Sequence, residues 1–137
     1  MLVRTKAINK ILALKKRIKI IQGGTSAGKT FGILPILIDK ATKTGGLEIS
    51  VVAESNGSFI EFFSADDASK LRGGRRDILY INECNSVSFE SYNELSIRTK
   101  REVYLDYNPT AEFWVQTEIE EQEDAEKIIL TYKDNEA

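Results

Sequence analysis

Residues 17–42 decide the fold, and they read RIKIIQGGTSAGKTFGILPILIDKAT. The opening residues 17–22 alternate and are rich in β-branched side chains, which predicts a strand. The apolar stretch 30–42 predicts a helix, and Pro35 within it removes one backbone hydrogen bond, so we expect a kink there. A strand, a glycine-rich turn and a helix in this order predict an α/β fold.

The glycine-rich turn matches the phosphate-binding pattern G-x-x-x-x-G-K-[ST] in full. It consists of Gly23, Gly24, Thr25, Ser26, Ala27, Gly28, Lys29 and Thr30. Glycines let the backbone curl so that successive N–H groups point at phosphate oxygens, and the following helix adds its positive end. We expect Lys29 to contact the β- and γ-phosphates and the Thr30 hydroxyl to bind Mg²⁺. The pattern therefore predicts ATP and Mg²⁺ as cofactors, and its strand and helix context weighs against a chance match.

Alternating strand and helix patterns continue along the rest of the chain. Strands are predicted at 48–53, 58–63, 77–81, 102–106 and 127–132, helices at 5–16, 89–97 and 111–121, and a loop or short helix at 64–74. Asn56-Gly57 between two strand-like runs is a strong hairpin signal. We therefore predict a single domain, residues 1–137, with a three-layer P-loop NTPase fold. Its central sheet should be mostly parallel with one antiparallel hairpin.

Two polar residues, Asn82 and Glu83, end the apolar strand 77–81. P-loop ATPases place a metal-associated carboxylate and a general base at this point, where Glu83 can orient and polarise an attacking water. Asn82 occupies the first acidic position, and its amide lacks the negative charge beside Mg²⁺, so we expect weaker metal binding. Thr30, Asn82 and Glu83 are thus the predicted metal residues. The alternative is that Glu83 is a solvated residue at a strand end.

Two further groups of residues carry more than one interpretation. Arg72, Arg75 and Arg76 lie together, and a guanidinium can stabilise charge on a transferred phosphoryl group. The same arginines can instead contact a DNA backbone or be surface charge. Residues 106–110, DYNPT, can sense the γ-phosphate, or they can form a turn in which Thr110 is the N-cap of the next helix.

The composition excludes several classes of site. The chain has 137 residues, a net charge of −2, no histidine and one cysteine, Cys84. Serine–histidine–aspartate catalysis, an intrachain disulfide and cysteine- or histidine-based zinc sites are therefore excluded. The acidic balance argues against a surface built throughout for nucleic acid. Apolar runs are too short to span a bilayer and no signal-peptide pattern is present, so we expect an intracellular protein without a membrane partner.

Four segments of the chain together resemble one known family. They are QGGTSAGKT at 22–30, NGSFIEFFSADDASKLRGGRRDILYINECN at 56–85, YLDYNPT at 104–110, and TYKDN at 131–135. In this order they are similar to the ATPase domain of the large terminase subunit of tailed bacteriophages, the motor that pumps DNA into the capsid. The resemblance implies a P-loop NTPase fold of the ASCE type and ATP hydrolysis that drives double-stranded DNA translocation.

The resemblance also implies roles for individual residues. Glu83 would be the catalytic carboxylate, acting with Lys29, and Gln22 would lie at the mouth of the phosphate loop. Arg72 would enter a neighbouring subunit's site, and Asn108 would belong to a motif that couples γ-phosphate loss to movement. The implied partners are neighbouring copies in a ring, the portal and the small terminase subunit, in the cytoplasm of the host.

Two departures from the family pattern keep alternatives open. The family carries a longer stretch between the strand ending at Glu54 and the strand beginning at Ser58, so these two strands must here be antiparallel neighbours. The chain also stops at Ala137, and we expect the C-terminal nuclease domain to be absent. The alternatives to a motor ATPase are a nucleotide-binding assembly module with little turnover and a helicase-like P-loop ATPase.

Overall fold

A computed structural model describes residues 5–24, 29–55, 58–63 and 75–135. The strands are β1 (Ile18–Gly23), β2 (Ile49–Ser55), β3 (Ser58–Phe63), β4 (Arg76–Ile81), β5 (Thr99–Tyr107) and β6 (Ala125–Leu130). The helices are α1 (Lys6–Leu12), α2 (Lys29–Lys43) and α3 (Phe89–Ile97). There are also 3₁₀ turns at Cys84–Ser86, before α3, and at Tyr132–Asn135, after β6, and a π-type turn at Val115–Ile119 between β5 and β6. The α2 helix continues through Pro35.

The six strands form one sheet in the order β3-β2-β4-β5-β1-β6. Only β2 and β3 pair in an antiparallel manner, and the other neighbours are parallel. This confirms the α/β class, the mostly parallel sheet and the single antiparallel hairpin, although residues 56–57 of the connection lie outside the described ranges. Strand β5 lies between β1, which precedes the phosphate loop, and β4, which precedes Glu83. That order is the ASCE arrangement of P-loop NTPases.

Helices cover both faces of the sheet and bury two apolar clusters. On one face α1 and α2 pack through side chains such as Ile11, Ile33 and Leu37. Close approach of the two helices depends on Gly32, where an added Cβ would lie 3.0 Å from Ile11 Cδ1. On the other face α3 and the π-type turn pack through Tyr92 and other residues. The predicted three-layer architecture is therefore confirmed.

Several element boundaries differ from the prediction, β5 for example running from Thr99 to Tyr107, and two of the differences have identifiable reasons. Helix α1 ends at Leu12 because the backbone N–H groups of Lys15 and Lys16 both donate to Glu126 Oε1, each at 2.6 Å. Strand β6 runs from Ala125 to Leu130 because Thr131 starts a turn, where its N–H donates to an oxygen of Asp134 at 2.8 Å. Both differences arise from side chains that take up backbone N–H groups.

The helix predicted at 111–121 forms only in part: residues 111–113 are not helical, and the segment Val115–Ile119 is a π-type turn. Just before the π-type turn, the backbone N–H of Phe113 donates to Gln116 Oε1 at 2.9 Å. Trp114 is held by its indole N–H, which donates to the Val87 carbonyl at 2.7 Å. Tertiary packing of these aromatic residues overrides the helical spacing. Thr110 therefore does not cap a helix, because the turn starts at Val115.

Arg76 is a buried structural residue and not a surface cation. Only 2% of it is exposed, its Nε donates to Ser50 Oγ at 2.8 Å, and its Nη1 donates to the Leu95 carbonyl at 2.8 Å. These bonds join the start of β4 to β2 and to the end of α3. The interpretation of Arg76 as a phosphate- or DNA-contacting residue is therefore wrong, whereas Arg75 beside it is exposed.

Replacing Arg76 with Leu is expected to lower the free energy of unfolding by about 2–4 kcal/mol, because the buried Ser50 hydroxyl loses its donor and the bond that ties β4 to the Leu95 carbonyl is lost. Urea unfolding followed by circular dichroism measures this change. The matched control is Arg75→Leu, which alters an exposed neighbour and should shift stability by no more than about 0.5 kcal/mol. Equal losses in the two variants would contradict a structural role specific to Arg76.

Within the described ranges, no helix combines the length and the apolar character needed to cross a membrane.

Candidate active site

The carboxyl ends of β1, β4 and β5 bring the predicted site residues to one edge of the sheet. Strand register pairs Gln22 with Tyr107 across β1 and β5, and Ile81 with Leu105 across β4 and β5. The residues that follow each strand end therefore lie side by side. Open α/β sheets bind ligands at this carboxyl edge.

Lys29 connects the glycines that end and follow β1, Gly23 and Gly24, to the end of β5. It is 7% exposed, and its Nζ donates to the Gly23 carbonyl and to Asn108 Oδ1, each at 2.6 Å. A longer contact of 3.4 Å reaches the Gly24 carbonyl. Burial lowers the pKa of Lys29, and the nearby Asp106 and Glu83 carboxylates oppose that shift. The ammonium group is thus held at the loop by oxygens that a phosphate can replace.

Glu83 adopts a strained backbone conformation just beyond β4. Its φ of 51° and ψ of 57° lie in the left-handed region, and among the described residues it is the only one other than glycine with a positive φ. Such a conformation costs about 1–2 kcal/mol for a residue with a side chain. Its backbone N–H donates to Asp106 Oδ1 at 2.7 Å. The residue itself is exposed.

Asp106 and Tyr80 form a buried polar pair behind Glu83. Asp106 has no exposed surface, and the Tyr80 hydroxyl donates to its Oδ2. Burial raises the pKa of both groups, and the negative charge of Asp106 raises that of Tyr80 further. The phenol also lies 3.4 Å from Asn82 Oδ1 and shares a side-chain hydrogen bond with Thr30. The Thr30 side chain at the start of α2 and the Asn82 amide after β4 therefore both lie next to the Tyr80 phenol.

Gln22 contacts the end of β5 at the base of the phosphate loop. The Tyr107 hydroxyl donates to Gln22 Oε1 at 3.1 Å, and the Tyr107 ring packs edge-on against Phe113 at a centroid distance of 5.0 Å. Gln22 is therefore oriented by a buried phenol.

The residues present suit Mg²⁺ carried by nucleotide phosphates. No group of three Asp, Glu, Cys or His side chains that could enclose a metal occurs among the described residues. A phosphate-bound Mg²⁺ needs only one or two protein ligands, since phosphates and water supply the others. Thr30 and Asn82 offer oxygens that both lie next to the Tyr80 phenol. They would hold the ion, with Glu83 at the same sheet edge.

The structure brings most of the predicted site residues together. Contacts or adjacent strand ends join Gln22, Gly23, Gly24, Lys29, Thr30, Asn82, Glu83 and Asn108. Thr25, Ser26, Ala27, Gly28 and Arg72 lie outside the described residues. The sequence predictions did not include Tyr80, and they named Asp106 only within residues 106–110, as a segment that senses the γ-phosphate or forms a turn. One sequence signal could have indicated the buried pair. An aspartate in the apolar run of a central strand needs a partner, because charged residues are seldom fully buried without one.

Comparisons with known proteins give remote structural matches. No family model and no curated protein match the chain. Two solved structures of the large terminase from a thermophilic bacteriophage, one with ADP and one with ATP-γ-S, each have 12% sequence identity and a TM-score of 0.44. The matches cover 94% and 92% of this chain, and 37% and 34% of those chains. The chain thus spans about a third of their length.

The fold class follows from the strand order of the chain itself and not from these matches. The matched proteins are large terminases, the family that the four sequence segments resemble.

Proposed function

We propose that the chain hydrolyses ATP with Mg²⁺, using residues 23–30 as the phosphate loop and Glu83 as the general base. The observation that carries the proposal is the position of Lys29 Nζ. Lys29 Nζ donates to the Gly23 carbonyl and to Asn108 Oδ1, and the negative charge of Glu83 acts to raise the pKa of Lys29. A lysine, a carboxylate and a polar amide at one sheet edge are what phosphoryl transfer to water requires.

Each residue would act by position or charge. Lys29 would exchange its bond to the Gly23 carbonyl for phosphate oxygens, since a charged acceptor binds an ammonium more strongly than a neutral carbonyl. Thr30 and Asn82 would hold Mg²⁺, which when bound neutralises charge on the β- and γ-phosphates. Glu83 would orient the attacking water and accept its proton. Asn108, bonded to Lys29, would register loss of the γ-phosphate at the end of β5.

The resemblance to large terminase subunits extends the proposal to a motor. ATP hydrolysis would drive double-stranded DNA into a phage capsid, in a ring of copies that also contacts the portal and the small terminase subunit in the host cytoplasm. The net charge of −2 restricts DNA contact to local basic surfaces. In such a ring Arg72 would enter the site of a neighbouring copy and stabilise the transferred phosphoryl group.

We predict that Arg72→Ala leaves ATP affinity unchanged and lowers turnover by about 10³–10⁵-fold, the usual effect of an arginine supplied to phosphoryl transfer. Turnover by phosphate release and affinity by titration of a fluorescent ATP analogue measure the two effects. Arg75→Ala is the matched control and should retain turnover. Weakened DNA binding with unchanged turnover in Arg72→Ala would show a backbone contact instead.

Turnover measured across a range of protein concentrations tests the motor proposal. A rise steeper than linear, and stimulation by double-stranded DNA, would support a site completed by a neighbouring copy. Stimulation by single-stranded DNA alone would favour a helicase-like ATPase. Tight nucleotide binding without turnover at any concentration would indicate a nucleotide-binding assembly module.

A further inference from the structure

The strained backbone of Glu83 needs an external restraint. A left-handed conformation at a residue other than glycine persists only when its surroundings enforce it. A left-handed residue commonly ends a helix, but Glu83 does not follow one. It lies between β4 and the 3₁₀ turn Cys84–Ser86. Its side chain makes no capping bond in that turn. Two backbone bonds can hold this conformation: the Glu83 carbonyl accepts the N–H of Ser86 at 2.9 Å within the turn, and the Glu83 N–H donates to Asp106 Oδ1 at 2.7 Å. The bond to Asp106 is the one that comes from outside the turn.

Asp106 is built as a rigid acceptor. It lies in the central strand β5 with no exposed surface, and its second oxygen accepts the Tyr80 hydroxyl. Tyr80 is itself fully buried in the neighbouring strand β4. One carboxylate oxygen is thus fixed by the strand that leads to Glu83, and the other is aimed at the Glu83 N–H. Two anchored oxygens allow little rotation of the carboxylate.

We propose that Asp106 is a positioning residue that holds Glu83 in the left-handed conformation and so directs its side chain towards the attacking water. The inference rests on the proposed ATPase function, because it assigns Glu83 the role of general base. Asp106 acts through Glu83 and does not touch the substrate. The competing interpretation is that Asp106 supplies the negative charge that Asn82 lacks beside Mg²⁺. The two interpretations differ in what an amide at position 106 should do.

Two substitutions separate these interpretations. Asp106→Asn keeps an oxygen that can accept the Glu83 N–H but removes the charge, whereas Asp106→Ala removes both. Positioning predicts that kcat falls by about 100-fold in the Ala variant and by less than about tenfold in the Asn variant. In both variants KM, nucleotide affinity and the Mg²⁺ concentration for half-maximal nucleotide binding should stay within about threefold of wild type.

A matched control for Asp106→Ala is provided by Asp77→Ala. Asp77 Oδ2 also accepts a backbone N–H, that of Glu48 at 2.9 Å, but it lies at the opposite end of β4 from Glu83. This variant should lose thermal stability without a change in kcat. If Asp106→Ala fails to fold, Tyr80→Phe replaces it, since it frees the second Asp106 oxygen and should lower kcat while leaving KM unchanged.

The Glu83 amide resonance provides a readout that does not depend on activity. A strong bond to a carboxylate should place its proton downfield and slow its hydrogen exchange, and both effects should be lost in Asp106→Ala and largely kept in Asp106→Asn. An unchanged Glu83 amide in Asp106→Ala would overturn the inference. So would equal kcat losses in the Asn and Ala variants with an increased Mg²⁺ requirement. An inactive wild type with a shifted Glu83 amide would instead count against the ATPase function alone.

Discussion

Replacing Lys29 with Ala is expected to raise the Kd for Mg·ATP by at least about 100-fold, the largest effect on binding of any single change. Its ammonium group is nearly buried, and it lies between the Gly23 carbonyl and Asn108 at the start of α2. Two charge-assisted bonds to phosphate oxygens contribute about 1.5–3 kcal/mol each, which corresponds to at least about a hundredfold in affinity. Among the described residues, no other cationic side chain donates a hydrogen bond to the carbonyls of Gly23 and Gly24.

Titration with a fluorescent ATP analogue in the presence of Mg²⁺ measures this effect. Lys40→Ala is the matched control, because Lys40 lies on the same helix and is paired with Glu102 at 3.0 Å, away from the loop. Circular dichroism of both variants separates lost binding from lost fold. Unchanged ATP affinity in Lys29→Ala would contradict the assignment of residues 23–30 as the phosphate loop.

Glu83→Gln is expected to lower turnover by about 10²–10⁴-fold while nucleotide affinity changes little. The substitution preserves the size of the side chain and the backbone N–H that Asp106 accepts, and it removes only the group that takes the proton from water. Because the residue is exposed and contacts no part of the phosphate loop in the described structure, its loss should not disturb binding.

Phosphate release under saturating ATP, with the affinity measured separately, tests this prediction. Glu90→Gln serves as the control, since it changes an exposed glutamate in the first turn of α3 and should leave turnover intact. Full turnover in Glu83→Gln would remove Glu83 from the mechanism and make Asp106 the next carboxylate to examine.

The sequence predicted an element correctly where the residues that form and cap it are neighbours in the chain. Helix α3 forms over the predicted residues 89–97 because Ser88 caps it and accepts the N–H of Ser91 at 3.0 Å. The helix predicted at 111–121 starts later than expected, because Trp114 packs against residues far away in sequence. The Trp114 ring stacks on Tyr92 at 4.8 Å, a contact that helical spacing cannot indicate.

The site was predictable in its parts but not in its connections. The phosphate-loop pattern identified Lys29, and the end of an apolar strand identified Glu83. The bond between Lys29 and Asn108 joins residues that are 79 positions apart, so it depends on sheet order that no local pattern contains. The sequence placed Asp106 in the segment 106–110 but did not predict its buried contact with Glu83, because only the assembled sheet buries this strand-end carboxylate.

A single-turnover experiment tests the central claim, Mg²⁺-dependent hydrolysis of ATP, most directly. The protein is held in excess over γ-labelled ATP, at concentrations high enough for neighbouring copies to associate, with and without Mg²⁺. The account predicts release of labelled phosphate that requires Mg²⁺ and disappears in Glu83→Gln. Recovery of intact ATP from a stable complex with the wild-type protein would contradict it, and would mean that the chain holds nucleotide without hydrolysing it.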